Sequence, residues 1–214
     1  MSTIKVTNLK HESSSSDNIT LTSGGATQIG GLTYPTSDGT NGQYLQTNGS
    51  GALSWQTVTG AQWTSGTAQT LSGTSQIFDS IPSNAVWIVI TFINVSPNGA
   101  SNFQFRLGDS AGIETTGYES KSNATSNVAD NNTTEFEFNY TGNAAYAYDG
   151  VIELWKHSGN TWNVRGQLQQ QTLNEIMTCV GTKTLSDTLT QVEISVNPSS
   201  FDAGTATIHY LTSS

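Results

Sequence analysis

Val86-Trp87-Ile88-Val89-Ile90-Thr91-Phe92-Ile93-Asn94-Val95 is the longest apolar run in the chain, and it stops at Pro97-Asn98-Gly99. β-Branched and aromatic residues fill it, and turn residues close it. That combination predicts a buried central β-strand, because a strand with one wet face would alternate with polar residues. Two later stretches carry the same signal in its alternating form. Phe103-Gln104-Phe105-Arg106-Leu107 and Glu135-Phe136-Glu137-Phe138 repeat with period two, as strands with one packed face do.

Further on, Val151-Ile152-Glu153-Leu154-Trp155 and Trp162-Asn163-Val164-Arg165-Gly166-Gln167-Leu168 flank the turn His157-Ser158-Gly159-Asn160. Ile176 to Val180, Val192-Glu193-Ile194-Ser195-Val196 and Thr205 to Leu211 complete the set. Eight to ten short antiparallel strands in about 150 residues predict an all-β, jelly-roll-like sandwich over residues 62–214. Composition agrees. Only 34% of the 214 residues are hydrophobic and 11% charged, and Ser, Thr, Asn and Gly make up much of the rest. This is a vocabulary of strands and tight turns, with too little Ala, Leu, Glu and Lys for several helices.

Residues 1–61 read differently. Their large apolar groups are few and arrive in short alternating pieces: Ile4 and Val6, then Leu9, Ile19 and Leu21, then Tyr44, Leu45, Leu53 and Trp55. Such a segment cannot bury enough surface to fold alone. Ser13 to Ser16 has the composition of a linker, whereas Ile19-Thr20-Leu21 before Gly24-Gly25 suggests a small β-element. Asn48-Gly49-Ser50-Gly51 predicts a hairpin between Gln43–Thr47 and Ala52–Trp55. The expected solution is extended β-segments that intertwine with copies of themselves in a trimeric stalk, which supplies the missing core.

Sixteen acidic against seven basic residues give a net charge of -9, with no cluster of Lys and Arg, so a nucleic-acid groove is not expected. Cys179, the one cysteine, lies in the apolar stretch Ile176-Met177-Thr178-Cys179-Val180, where a small buried thiol is the expected role. The start Met1-Ser2-Thr3-Ile4-Lys5-Val6 lacks an apolar signal region, and no run is long enough for a membrane span.

Tyr34-Pro35-Thr36-Ser37-Asp38-Gly39-Thr40-Asn41-Gly42-Gln43-Tyr44-Leu45-Gln46-Thr47-Asn48-Gly49-Ser50-Gly51-Ala52-Leu53-Ser54-Trp55 resembles a module of tail-fibre and other virion proteins of tailed bacteriophages. The opening Ile4-Lys5-Val6-Thr7-Asn8-Leu9, the serine stretch and Asn18-Ile19-Thr20-Leu21 look like the start of the same proteins. Leu107 to Tyr118 and the ending Phe201 to Ile208 are similar to a β-sandwich of phage structural proteins. The resemblance implies a homotrimeric particle component, located in the virion and assembled in the host cytoplasm. Ile4, Val6, Leu9, Ile19 and Leu21 would then anchor it to other virion proteins of a tail or capsid platform, and Tyr44, Leu45, Leu53 and Trp55 would build the stalk. A capsid decoration protein is the second structural expectation.

Catalysis is not expected. Gly108-Asp109-Ser110-Ala111-Gly112 evokes hydrolase nucleophile loops, but Ala111 replaces the second glycine of the protease pattern, and His11, His157 and His209 lack the flanking residues of a general base. A turn closed by Asp and Ser side chains is the expected role. Glu135 and Glu137 share a strand face, as a glycosidase pair could, yet a wet face opposite Phe136 and Phe138 explains the pattern. A surface-glycan hydrolase is therefore the alternative from another class. No metal site and no cofactor is expected. Host-surface carbohydrate is the further expected partner, met by Tyr118, Tyr146 and Tyr148 in segments that read as loops, with Tyr140 and Trp162 also considered.

Overall fold

The computed structural model describes residues 5–58, 60–124, 127–138, 143–172 and 175–213, with the backbone alone for 124 and 127–130. Two compact units divide the chain, residues 1–60 and 61–214, one residue from the expected boundary. Ile4 and Tyr140 lie outside the described residues.

The first unit holds β1 (Asn8–Leu9), β2 (Ile19–Leu21), β3 (Thr27–Ile29), β4 (Leu32–Thr33), β5 (Gln43–Thr47) and β6 (Leu53–Thr57). β1 to β4 form one four-stranded antiparallel sheet, and β5 pairs with β6. Turn chemistry sets both. Gly30 and Gly31 sit at φ +58° and +85°, which suits a two-residue turn between β3 and β4. In the Asn48–Gly51 turn, Asn48 Oδ1 accepts from Ser50 and Ala52 N–H at 2.8 and 3.1 Å, while Gly49 and Gly51 take positive φ. The hairpin stands where the Asn-Gly signal puts it.

Trp55 lies over Gly39, where an added Cβ would come within 2.7 Å of the indole, and its Nε1 donates to Ser37 O at 2.9 Å. The spacing of Gly39 and Trp55 thus has a packing cause inside the chain. Even so, none of the described residues of this unit is buried. Val6, Leu9, Leu21, Tyr44 and Leu45 are exposed, and Ile19, Leu53 and Trp55 are half-buried.

The second unit is built from β7 (Gln62–Ser65), β8 (Gln69–Thr70), β9 (Ser75–Phe78), β10 (Ala85–Pro97), β11 (Asn102–Asp109), β12 (Gly112–Ile113) and β13 (Tyr118–Ala124). It continues with β14 (Asn127–Asn132), β15 (Phe136–Phe138), β16 (Tyr148–Ser158), β17 (Thr161–Gln170), β18 (Glu175–Thr184), β19 (Gln191–Asn197) and β20 (Phe201–Thr212). All pairings between these strands are antiparallel, and among the described residues there is no helix.

The pairing runs first with last: β7 with β20, β9 with β19, β10 with β16, β11 with β15. β10 also pairs with β20, and β11 with β19. A long hairpin wound on itself in this way gives the two sheets of a jelly roll, β7-β20-β10-β16 and β9-β19-β11-β15. β17, β18, β13 and β14 then extend the first sheet, which becomes nine-stranded with β8, and β12 brings the second to five. There are more strands than the sequence suggests: β7, β8, β9, β12, β13 and β14 have no counterpart among its expected strands, while β13, β14, β17 and β18 lie outside the eight-strand plan.

The core lies between the sheets. Ile88 and Ile90, Ile152 and Leu154, Phe105 and Leu107, and Phe136 and Phe138 all point into it and are essentially inaccessible. Gly166 and Gly181 make room for the rings of Phe138 and Phe136, since an added Cβ would come within 2.4 and 2.7 Å of them. Cys179 is buried beside Ser120, and burial raises its thiol to about 11, which fits the inert role expected. β10 departs from expectation: only one of its faces is covered, and Trp87, Val89, Thr91 and Ile93 point out of the sandwich, with Ile93 59% exposed.

Candidate functional site

Strand register brings together side chains far apart in sequence. Across the outer face of the large sheet, Trp63 lies opposite Leu211, Leu211 opposite Trp87, Trp87 opposite Trp155, Trp155 opposite Asn163, and Asn163 opposite Thr182. The next parallel row reads Ser65, His209, Val89, Glu153, Arg165, Val180 and Lys121. Every residue in both rows points away from the core, because neighbours in a row share a face.

The aromatic rings of these rows contact one another. Trp63 meets Trp87 edge to face with centroids 5.7 Å apart, Trp63 stacks on His209 at 6.2 Å, and Trp87 on Trp155 at 6.2 Å. The Arg165 guanidinium lies 4.8 Å over Trp155 and is ion-paired with Glu153. Packing shields the Trp87 indole N–H, which has no partner among the described residues, whereas Trp63 stays 50% exposed. Three depressions open on the same face. One of ≈ 370 Å³ is lined by Val151, Glu153, Arg165, Gln167, Thr178 and Val180; a second of ≈ 640 Å³ is lined in part by Lys121, Asn163, Val180 and Thr182; a third of ≈ 280 Å³ includes Val151 and Ile176.

The outer face of the small sheet has different chemistry. Asn102, Gln104, Arg106, Glu193 and Ser195 line it. Glu135 and Glu137 lie there too, but covered rather than wet: Asn132 donates to them at 2.9 and 2.8 Å, and Arg106 pairs with Glu135. Burial pushes the Glu135 carboxyl up, but Arg106 and Asn132 outweigh it and hold the group below its ordinary value. A glycosidase acid needs the opposite shift.

At Gly108–Gly112, the Asp109 carboxylate accepts from Ala111 N–H at 2.8 Å and so closes the turn as expected of it, while the serine hydroxyl that bonds it, at 2.6 Å, is that of Ser186 and not of Ser110. These two bonds, Ser186 first, hold it below the usual carboxylate range. Glu114 is also lowered: burial opposes this, but Lys183, buried under Tyr118, and the Ser186 N–H prevail.

These lowered carboxyls make a pH prediction. Groups whose folded values lie below the ordinary Asp and Glu values of 3.8 and 4.5 stabilise the fold fully above those values and lose the contribution as pH falls through the lowered ones. Thermal melts of residues 61–214 are therefore expected to change little from these groups between about pH 7 and 5, and to drop by several degrees below about pH 4. A melting temperature that holds flat down to about pH 3 would contradict the assignment.

The tyrosines expected to meet carbohydrate need correction. Tyr118 is buried; its hydroxyl accepts from Leu107 N–H at 2.8 Å and donates to Glu114 O at 2.9 Å, tying β13 to β11. Burial pushes that hydroxyl well above the ordinary tyrosine range. Tyr148 opens β16 on its inward face, fully buried with its ring 4.8 Å from Phe103. Trp162 is buried as well, and Tyr146 is half-buried against the core. The segment reads as a loop because Gly and Asn precede it, but the inward register of β16 already holds at Tyr148.

The residues that do cluster on a surface were missed. Trp63, Trp87, Trp155 and His209 come from four strands, and only their pairing joins them. A signal was present in β10, where three of the four outward positions, Trp87, Val89 and Ile93, are apolar.

Among the described residues no group of three or more His, Cys, Asp or Glu could hold a metal ion, and no helix is long and apolar enough to cross a membrane. No family model, curated protein or solved structure matches the chain.

Proposed function

We propose that this chain is a structural, non-catalytic component of a bacteriophage particle: a trimeric fibre or appendage joined to the virion through its first unit and presenting the jelly-roll head. The observation that carries the reading is the first unit itself. It is ordered into strands with defined turns, yet none of its described residues is buried, and Val6, Leu9, Leu21, Tyr44 and Leu45 stand open to solvent. Small β-sheets without a core gain their stability from other chains. Copies of the same segment, together with a virion platform, supply that surface. The resemblance of residues 34–55 to virion modules supports the same reading.

The head is suited to presentation. Its own core occupies the whole interval between the sheets, so it does not depend on the first unit for folding. The test is location. Purified particles carrying the gene for this chain are probed with antibody against residues 61–214, and the same is done for particles made with residues 1–30 deleted. Label on the first and none on the second is expected. Particles without the protein, or a deletion that is incorporated as well as the full chain, would overturn the reading.

A further inference from the structure

We infer that the outer face of the nine-stranded sheet is the surface on which the heads of separate copies of this chain pack against one another. The inference rests on the reading of the chain as a self-associating appendage.

The first argument is the pattern of β10. An antiparallel strand with one face in water alternates apolar and polar residues. β10 departs from this: Ile88, Ile90 and Phe92 face the core, and of the outward Trp87, Val89, Thr91 and Ile93 only Thr91 is polar. Ile176 at 50% and Val180 at 54% exposure add to the same outer face. The opposite side of the sandwich shows what this protein places against water, namely Asn102, Gln104, Arg106, Glu193 and Ser195, with Ile77 at its β9 edge the one exposed large apolar residue among the described ones. Two outer faces so unlike each other have different neighbours.

Charge and extent identify the neighbour. The chain carries -9 overall, but this face sets Glu119, Asp149 and Glu153 against Lys121 and Arg165, three acids against two bases, so it is close to balance. A basic partner would call for an acidic surface, whereas a like-charged copy is tolerated best where the charges cancel. From β7 to β18 the face spans five strand spacings of ~4.8 Å, and its longer strands run ~33 Å, giving roughly 800 Å², the area one partner contributes to a standard specific interface. A carbohydrate would need bare ring faces. Here Arg165 covers Trp155, and Trp63, Trp87 and His209 lie against one another. Copies already joined through their first units would meet at high local concentration, so even modest affinity suffices.

The experiment uses the head, residues 61–214, which has its own core, beside the full chain, each as wild type and as Val180→Lys. Val180 is an exposed strand position flanked by Arg165 and Lys121, so the variant head is first checked by its melting temperature for that like-charge cost, and beyond it the lysine disturbs packing only if another surface covers it. The wild-type head is expected to gain mass with concentration by sedimentation. Val180→Lys is expected to weaken that association by about tenfold or more, because it buries an unpaired charge. Hydroxyl-radical labelling of the full chain is expected to oxidise Trp63 several times more slowly in the wild type than in the variant. A head that stays monomeric, with Trp63 equally reactive in both full chains, would overturn the inference; if the full chain is still trimeric, the appendage reading survives. A monomeric head whose tryptophan emission shifts on titration with oligosaccharides would overturn it in favour of a glycan.

Discussion

Phe105→Ala is expected to destabilise the head by about 3–5 kcal/mol, the cost of emptying a closed aromatic site, and to lower its melting temperature by roughly 6–20 °C. Phe105 is inaccessible to solvent, at the centre of β11. Its ring stacks on Phe136 at 4.9 Å and lies 6.1 Å from Phe138, and the backbone on either side is held by pairing to β15 and β19. Those bonds keep the neighbouring strands from collapsing into the space, so the cavity term is added to the transfer term. Thermal unfolding of residues 61–214 followed by near-ultraviolet circular dichroism measures it. A loss under about 1 kcal/mol would mean that the stacked rings are not the centre of the core.

Gly181→Ala is expected to cost nearly as much, roughly 3 kcal/mol, from one added methyl group. The Cβ would fall 2.2 Å from Glu119 O and 2.7 Å from the Phe136 ring. The first obstacle is backbone of the paired strand β13, and the second is a buried ring, so neither yields without shifting a sheet. Gly49 carries no such neighbour and lies in the exposed hairpin turn. Chemical denaturation of the variant head should show the loss as a lower midpoint at unchanged slope. Wild-type stability in Gly181→Ala would contradict the close approach of β18 to β13 and β15.

The fold was legible where the signal is local. Period two at Phe103 and Phe105 and at Phe136 and Phe138 marks inward faces that the structure confirms, and Asn48-Gly49 fixes its hairpin through φ and the Asn48 side chain. Partners were not legible. Nothing local to β7 or β20 says that the first and last strands of the head pair, because that choice belongs to the winding of the whole hairpin. Tyr148 shows the limit most clearly. Gly142 and Asn143 ahead of it suggest a loop, yet inward register carries it into the core, while Trp87, hidden in an apolar run, comes to the surface. A strand largely apolar on both faces marks its outer side as unlike a water-facing one but does not say what meets it. The candidate surface therefore emerged only when register placed Trp63, Trp155 and His209 around Trp87.

The two units divide the work in physical terms. The head stabilises itself by burying its apolar residues between two sheets, whereas in the proposed reading the first unit is stabilised by the copies it joins. This makes the state of association of the full chain the decisive quantity. Native mass spectrometry of the full-length protein at micromolar concentration is expected to give three times the 22.7 kDa of one chain. A single species of 22.7 kDa, with residues 1–60 still protected from proteolysis, would contradict the account, because that unit would then be stable without the partners its exposed apolar residues require.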